Sequence, residues 1–468
     1  MAISIGKGME AGAAALGVSE VVFRFLICFL ASLPCSAGLR HVPGVVLRHA
    51  YAAIIGVVLV HFSFGLEGSV YVMSPVLFTY AVMRLTWKNA GLVTFAGAFG
   101  FLIYCHVSFM SGDRWKDGGM DFTGALMVMT LKVTSCAMSY QDGMQDKSNL
   151  YDSHARTALV KIPSLLEFMS YTYCCGNVLV GPVYDMKDYL AYIERREIWM
   201  EEAGHRIPSP YVPAAKSFVR ALFCLMVYVW LTPLAPWSRL FDQGLLHGPS
   251  LRKWGYFYLV VFTSRWKYYF IWALAETACC LSGFGFSGWK RAKDGTRKPV
   301  WTRGKNVDII AIETGRGGAA SLPKYWNITV SSWLREYVYL RIVRKGMRAG
   351  FWPLLITQIL SGLWHGLYPG YLLFFANTAL MIAGSRVIHR WERLVSPKHG
   401  AVQLVLAALQ NMYSILTINY AAFGFLLLSL KDTLTIYGEM HYIGTLVPVL
   451  VILIGIVTPS PRVSSKEA

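Results

Sequence analysis

The sequence predicts an all-α polytopic membrane protein with roughly eleven transmembrane helices. Of its 468 residues, 55% are hydrophobic and only 15% are charged, and apolar runs of crossing length recur from one end to the other. A water-soluble chain of this length needs far more charge to cover its surface. About 20 apolar residues in a helix span the hydrocarbon core, and a mean hydropathy of +0.44 agrees with many such spans.

The runs fall near 20–37, 50–66, 69–85, 91–110 and 121–140, then near 165–182, 215–235, 255–284, 351–384, 403–430 and 440–457. Arg24 interrupts the first run and no clear cleavage site follows it, so it reads as a membrane helix rather than a signal peptide. The runs at 255–284 and 351–384 exceed one straight crossing and are expected to be tilted, broken or double. In the second, Pro369-Gly370 is the expected break, because proline removes a donor and glycine frees the backbone. The tail, Lys466-Glu467-Ala468, has one lysine where retrieval signals usually need two, too weak a signal to use.

The net charge is +18. In a soluble protein this would point to nucleic acid. Here the cations sit in short connections between apolar runs, where they mark cytosolic loops and meet anionic head groups. They also suit a polyanionic co-substrate such as a coenzyme phosphate. The nine cysteines form no CxxC pair; they read as small buried hydrophobes, with no disulfide framework and no metal site.

Two connections are hydrophilic. Residues 141–163 carry mixed charge and are expected to form a surface helix. Residues 288–326 hold Lys290, Arg291, Lys293, Arg297, Lys298, Arg303 and Lys305, which places them in the cytosol. After them, Val330–Arg348 mixes Trp333, Leu334, Tyr337, Val338 and Leu340 with Arg335, Arg341, Arg344 and Lys345, the pattern of an amphipathic interface helix. With no internal repeat and no soluble segment of domain size, residues 1–468 read as one membrane domain, the basic loop and amphipathic helix occupying about 288–348.

An ionisable or amide side chain at membrane depth is costly and therefore a functional candidate. His365 is the sharpest, in Ser361-Gly-Leu-Trp-His-Gly-Leu-Tyr-Pro-Gly370. If 351–368 is one helix, Gln358, Ser361, His365 and Tyr368 share a face that should look into a cavity, and Gly362 and Gly366 allow close approach. The bland reading is a core histidine bonded to a neighbouring helix. Asn327 is the second candidate, in Pro323-Lys-Tyr-Trp-Asn-Ile-Thr329. Its Asn-x-Thr pattern is discounted because the flanking loops are basic, and helix capping is its bland alternative. Arg265, Lys267 and Glu276 read as ion-paired or snorkelling groups, and Asn411 and Asn419 as interhelical hydrogen-bond residues.

At these sites the sequence resembles a known family. Trp326-Asn327, Trp333 and Ser361…Trp364-His365-Gly366…Pro369-Gly370-Tyr371 are similar to the hallmark motifs of the membrane-bound O-acyltransferase superfamily, and within it to those of plant lysophosphatidylcholine acyltransferases. Supporting stretches are Phe109–Trp115, Gly181–Tyr189, Arg265–Trp272 and Lys305–Ile309. One departure is visible: the family places a glutamate eleven residues before the Trp-Asn pair, whereas twelve residues separate Glu313 from Trp326.

The resemblance implies helices around a central tunnel in the endoplasmic reticulum membrane, with His365 and Asn327 facing its centre. Acyl-CoA would enter from the cytosol as co-substrate, with no resident cofactor, and a lysophospholipid from the membrane or the lumenal side. His365 would then be the general base and Asn327 the donor to the thioester carbonyl. Trp326, Trp333, Arg335, Ser361, Trp364 and Tyr368 would line the substrates, and Arg335 and the basic loop would hold the coenzyme phosphates. A transporter also suits broken helices, but no repeated halves are present. An inactive scaffold is opposed by the intact Asn and His. A sibling acting on a sterol, diacylglycerol or protein is opposed by the flanking stretches. Glycine-containing helices fit a monomer or a homodimer.

Overall fold

A computed structural model describes residues 2–109, 121–200, 207–343, 345–347, 350–394 and 400–458. Residues 110–115 of the Phe109–Trp115 stretch, Arg344 and Arg348 of the amphipathic segment and the Lys466–Ala468 tail lie outside them. Among the described residues the chain is helical apart from one two-stranded hairpin, an isolated bridge and the connections. Six helices among the described residues are long and apolar enough to cross a membrane, or seven if the bent pair Leu430–Glu439 and Ile443–Val457 is one span. The chain is a multi-pass membrane protein.

The expected runs took several different forms. Glu20–Leu39 is a single helix as expected, and Arg24 in it is neutralised one turn on by Glu20, whose carboxylate accepts at 2.9 Å. The runs at 50–66 and 69–85 are one 41-residue helix, Val45–Leu85, interrupted at Gly65 (φ 72°, ψ −171°). Only glycine adopts that backbone freely, and it divides the helix into two crossing-length halves. Thr123–Gly143 forms, but its buried Thr130, Lys132, Thr134, Ser135 and Ser139 make it an interior helix rather than a lipid-facing one. Residues 165–182 are not a span. The Leu165–Thr172 helix starts at a Ser164–Glu167 capping box and ends after 8 residues. Beyond it Tyr173, Cys174, Cys175, Val178 and Leu179 are buried in irregular chain, so the apolar run is core, not a lipid crossing.

The long run at 255–284 is one continuous helix, Ser250–Ser282. That at 351–384 is broken, as expected, into Phe351–His365 and Pro369–Glu392, but the break comes at Gly366 rather than at Pro369-Gly370. Gly366 leaves helical space at φ 138°, while Pro369 sits at the first position of the next helix, where its missing N–H costs nothing. The basic loop contains an antiparallel hairpin, Phe286–Arg291 with Arg297–Trp301, in register Trp289 to Pro299, Lys290 to Lys298 and Arg291 to Arg297. The amphipathic segment is helical through Ile328–Leu334, a π turn at Arg335–Tyr339 and Leu340–Ile342; it buries Trp333, Tyr337 and Val338 and exposes Arg335.

The chain builds two compact units from interleaved segments. The first takes residues 1–222, 270–306 and 336–346. It holds Lys132 in its interior, the ammonium donating to the Thr172 carbonyl at 2.9 Å and to the Asn177 amide oxygen at 3.1 Å. A bidentate Arg341–Asp142 pair at 2.6 Å braces the same unit. The second takes 223–269, 307–335 and 347–468, and its core gathers Leu240, Phe257, Val260, Tyr420, Phe423, Ile436 and Tyr437. There the Pro369–Glu392 and Gly400–Leu427 helices touch backbone to backbone. A Cβ added at Gly370 would lie 2.3 Å from the Gly424 carbonyl oxygen. His365 and Asn327 both belong to this second unit.

Candidate active site

Asn327 sits at the end of a closed loop. Val307 and Trp326 form an antiparallel bridge, and the Asp308 N–H donates to the Tyr325 carbonyl at 2.9 Å, so residues 308–325 leave and return at one point. Asp308 caps the short Ile309–Glu313 helix inside the loop, its carboxylate accepting from the Ala311 N–H at 3.1 Å. Asn327 itself is left-handed, at φ 44° and ψ 55°. Asparagine tolerates that region better than most residues, because its short amide can bond locally. Its carbonyl accepts from the Ser331 N–H at 2.8 Å, and the Ser331 hydroxyl donates to the Trp326 carbonyl at 3.0 Å. The Ile328–Leu334 helix therefore starts without the Asn327 side chain, which makes no capping bond. The bland capping reading of this residue does not hold.

A buried ion pair fixes the loop from within. Glu313 accepts from Arg265 through both oxygens, at 2.8 and 2.7 Å, and from the Tyr269 hydroxyl at 2.6 Å. Arg265 gives its remaining terminal nitrogen to the Asn419 amide oxygen at 2.7 Å, and Asn419 donates back to the Ile415 carbonyl at 2.6 Å. Bidentate geometry with the flanking donors satisfied is what makes a buried pair tolerable. Tyr268 and Tyr269, on the same helix as Arg265, each place a ring 5.9 Å from the Trp326 ring. The loop is thus held at Glu313 by charge and at Trp326 by tilted and edge-to-face ring contacts.

His365 is held differently. It is the last residue of its helix, and Gly366 closes the helix with an N–H bond to the Gly362 carbonyl at 3.1 Å. The imidazole is surrounded by rings: Trp364 at 4.7 Å, Phe425 at 5.0 Å, Phe375 at 5.4 Å and Tyr371 at 5.5 Å. Phe425 lies 6.3 Å from Tyr268, which in turn meets Trp326. A continuous row of rings therefore runs from His365 through Phe425 and Tyr268 to Trp326, the neighbour of Asn327.

The comparisons with known proteins fit this arrangement. Residues 107–427 match the model of the membrane-bound O-acyltransferase family. Lysophospholipid acyltransferase 1 of Arabidopsis thaliana is 46% identical, covering 97% of each chain, and lysophospholipid acyltransferase 2 of the same plant is 43% identical, covering 98% of each. Membrane-bound glycerophospholipid O-acyltransferase 1 of Homo sapiens is 30% identical over 94% of this chain and 90% of its own.

The chain belongs to the membrane-bound O-acyltransferase family.

In this O-acyltransferase the sequence-predicted site residues divide into three groups. His365 and Trp364 join the ring row at one end and Trp326, beside Asn327, at the other. Ser361 is buried one turn before His365. Gln358, one turn earlier still, has its amide oxygen taken by the Thr378 hydroxyl at 3.1 Å. Tyr368 is not on the His365 helix, as a continuous 351–368 helix required; it caps the next one, its ring 5.9 Å from Tyr371. The glycine break moved it off the expected stripe. Trp333 is buried and Arg335 exposed, farther along the helix that Asn327 opens.

Sequence reasoning gave no role to Phe425 or Tyr268 and assigned Arg265 and Asn419 only default structural roles. The signal for Arg265 was present, since an arginine in an apolar run needs a carboxylate, but nothing in the sequence marked Glu313 as that partner. Phe425 carried no signal, being one aromatic in an apolar run.

Proposed function

We propose that this enzyme transfers a fatty acyl group from acyl-CoA to the sn-2 hydroxyl of a lysophospholipid, with lysophosphatidylcholine the first acceptor and lysophosphatidylethanolamine another. The reading is supported by the two plant relatives, whose names state acyl transfer to a lysophospholipid, and by one structural observation above all. His365 and Asn327 lie in one compact unit at the two ends of a single row of rings.

In the proposed reaction the acceptor oxygen attacks the thioester carbonyl carbon while His365 takes the hydroxyl proton, a contribution on the order of 10²–10⁴ in rate. The tetrahedral oxyanion receives a hydrogen bond from the Asn327 amide, whose loss costs on the order of 10²–10³. The carbon–sulfur bond then breaks, and the coenzyme thiolate takes the proton back from His365. A thioester is an activated donor, so the step needs no resident cofactor. The rings around His365 keep water from competing with the lipid hydroxyl. In this reading Arg335 meets the coenzyme phosphates, and the enzyme acts at the endoplasmic reticulum membrane.

The test is transfer of labelled oleoyl-CoA into lipid by membranes from cells lacking their own activity. Lysophosphatidylcholine, lysophosphatidylethanolamine, a sterol and diacylglycerol serve as acceptors. Labelled phosphatidylcholine as the main product is the expected result. Label in sterol ester or triacylglycerol instead, or none at all, overturns the reading.

A further inference from the structure

The second unit carries a cleft lined by none of the residues named at the candidate site. It has a volume of about 290 Å³ and is lined by Leu234, Arg239, Leu245, Arg252, Gly255, Tyr256 and Leu259. Three features define its chemistry. First, it holds two guanidinium groups, and among the described residues no carboxylate pairs with either. The nearby acids are committed elsewhere: Asp242 caps a short helix by accepting from the Gly244 N–H at 2.8 Å, and Glu439 pairs with Lys253 at 2.6 Å. Second, Arg239 is set against built structure. Arg239 lies over the Tyr256 ring at 5.7 Å, and the Tyr256 hydroxyl donates to the Pro236 carbonyl at 2.7 Å, which ties the loop to the helix. Third, the remaining walls are leucine, and one of them, Leu234, is the last residue of the membrane span Tyr211–Leu234.

The last feature sets the depth. A cleft at the end of a span lies where hydrocarbon gives way to head groups. The surrounding surface has the composition of that level, with Trp230, Trp237 and Phe241 exposed and Leu251 88% exposed. Two arginines beside an apolar wall at this depth match an amphiphile with one phosphate and a hydrocarbon tail, because the guanidinium fork fits phosphate oxygens bidentately. The size matches as well. A volume of about 290 Å³ is at the low end for a ligand pocket, enough for a head group while the tail lies along the exposed leucines outside.

We propose that the Arg239–Arg252 cleft is a head-group site for a glycerophospholipid, with the phosphodiester between the two guanidinium groups. The site stands independently of the acyl-transfer reading, since it requires only a phosphate at the membrane surface. A coenzyme phosphate shares that chemistry but not the hydrocarbon tail, and the two sources can be separated.

The experiment uses the purified full-length protein in detergent and a lysophosphatidylcholine carrying a photoreactive diazirine in its acyl chain. Crosslinked peptides are mapped by mass spectrometry. Labelling of residues 234–259 is expected, competed by unlabelled lysophosphatidylcholine and unaffected by coenzyme A. In Arg239→Gln/Arg252→Gln it should fall at least about tenfold, the effect of losing charge-assisted bonds, while Arg239→Lys/Arg252→Lys keeps part of it. Both arginines are exposed, so the variants should elute as wild type by size exclusion. Equal labelling of the glutamine variant, or protection by coenzyme A in place of lysolipid, overturns the proposal.

Discussion

Asn327 and His365 stand at the two ends of one row of rings but are positioned by different means. The Asn327 loop adds polar chemistry to its Trp326 ring contacts: a bidentate Arg265–Glu313 pair at 2.8 and 2.7 Å, the Tyr269 hydroxyl at 2.6 Å and a backbone bridge. His365 is fixed by apolar chemistry, with four aromatic rings within 5.5 Å and a glycine that ends its helix at φ 138°. Polar clamps are strong and directional but fail abruptly when one partner is removed. Ring packing is divided among many weak contacts and fails gradually. The difference makes the Asn327 end brittle and the His365 end forgiving.

The largest effect should come from the clamp. Arg265→Ala leaves the partly buried Glu313 carboxylate without its cation and with only the Tyr269 hydroxyl, a loss of about 3 kcal/mol. The double variant Arg265→Met/Glu313→Leu should recover a large part of that, since no charge is stranded. Thermal unfolding in detergent decides the matter: additive losses in the double variant would show that the two residues act separately.

Asn327→Ala comes next, with a fall on the order of 10²–10³ in acyl transfer. Asn327→Gly tests whether the left-handed backbone or the amide is responsible. Glycine accepts φ 44° freely, so a stable but inactive glycine variant assigns the effect to the amide, and an active one assigns it to the backbone.

Gly366→Ala is expected to cost about 1–3 kcal/mol, the price of a non-glycine residue in a disfavoured backbone region. Space is not the obstacle, because the added Cβ would lie 3.5 Å from the nearest atom, in the Tyr368 ring. The cost should appear as partial loss of both unfolding temperature and rate. The smallest effect belongs to Phe425→Leu. It removes one ring from the row and about 0.5–1.5 kcal/mol of aromatic pairing, giving a several-fold fall in rate with expression unchanged. A Phe425→Leu loss as large as that of Arg265→Ala would contradict the contrast between the two ends.

Much of the membrane architecture was legible from composition and run length, because crossing a bilayer is a one-dimensional requirement that local sequence must meet. His365 and Asn327 stood out for the same reason: a polar group in an apolar run is visible without a partner. What was not legible depended on turns and long-range partners. The helix break moved from Pro369-Gly370 to Gly366, since proline fits the start of a helix as well as it ends one, and this displaced Tyr368. The 165–182 run looked like a span because lipid and protein interiors select the same side chains. Glu313 could not be paired with Arg265 from sequence spacing, and Phe425 could not be placed beside His365 until the helices were packed.

The central claim is that His365 carries the proton in the transfer while the rings around it only hold it in place. The direct measurement is kcat for acyl transfer by purified His365→Gln, with acyl-CoA binding measured separately on the same preparation. The account predicts a fall in kcat on the order of 10²–10⁴ with acyl-CoA binding within a few-fold of wild type. A His365→Gln enzyme that turns over at the wild-type rate would reduce the histidine to a packing residue and contradict the claim.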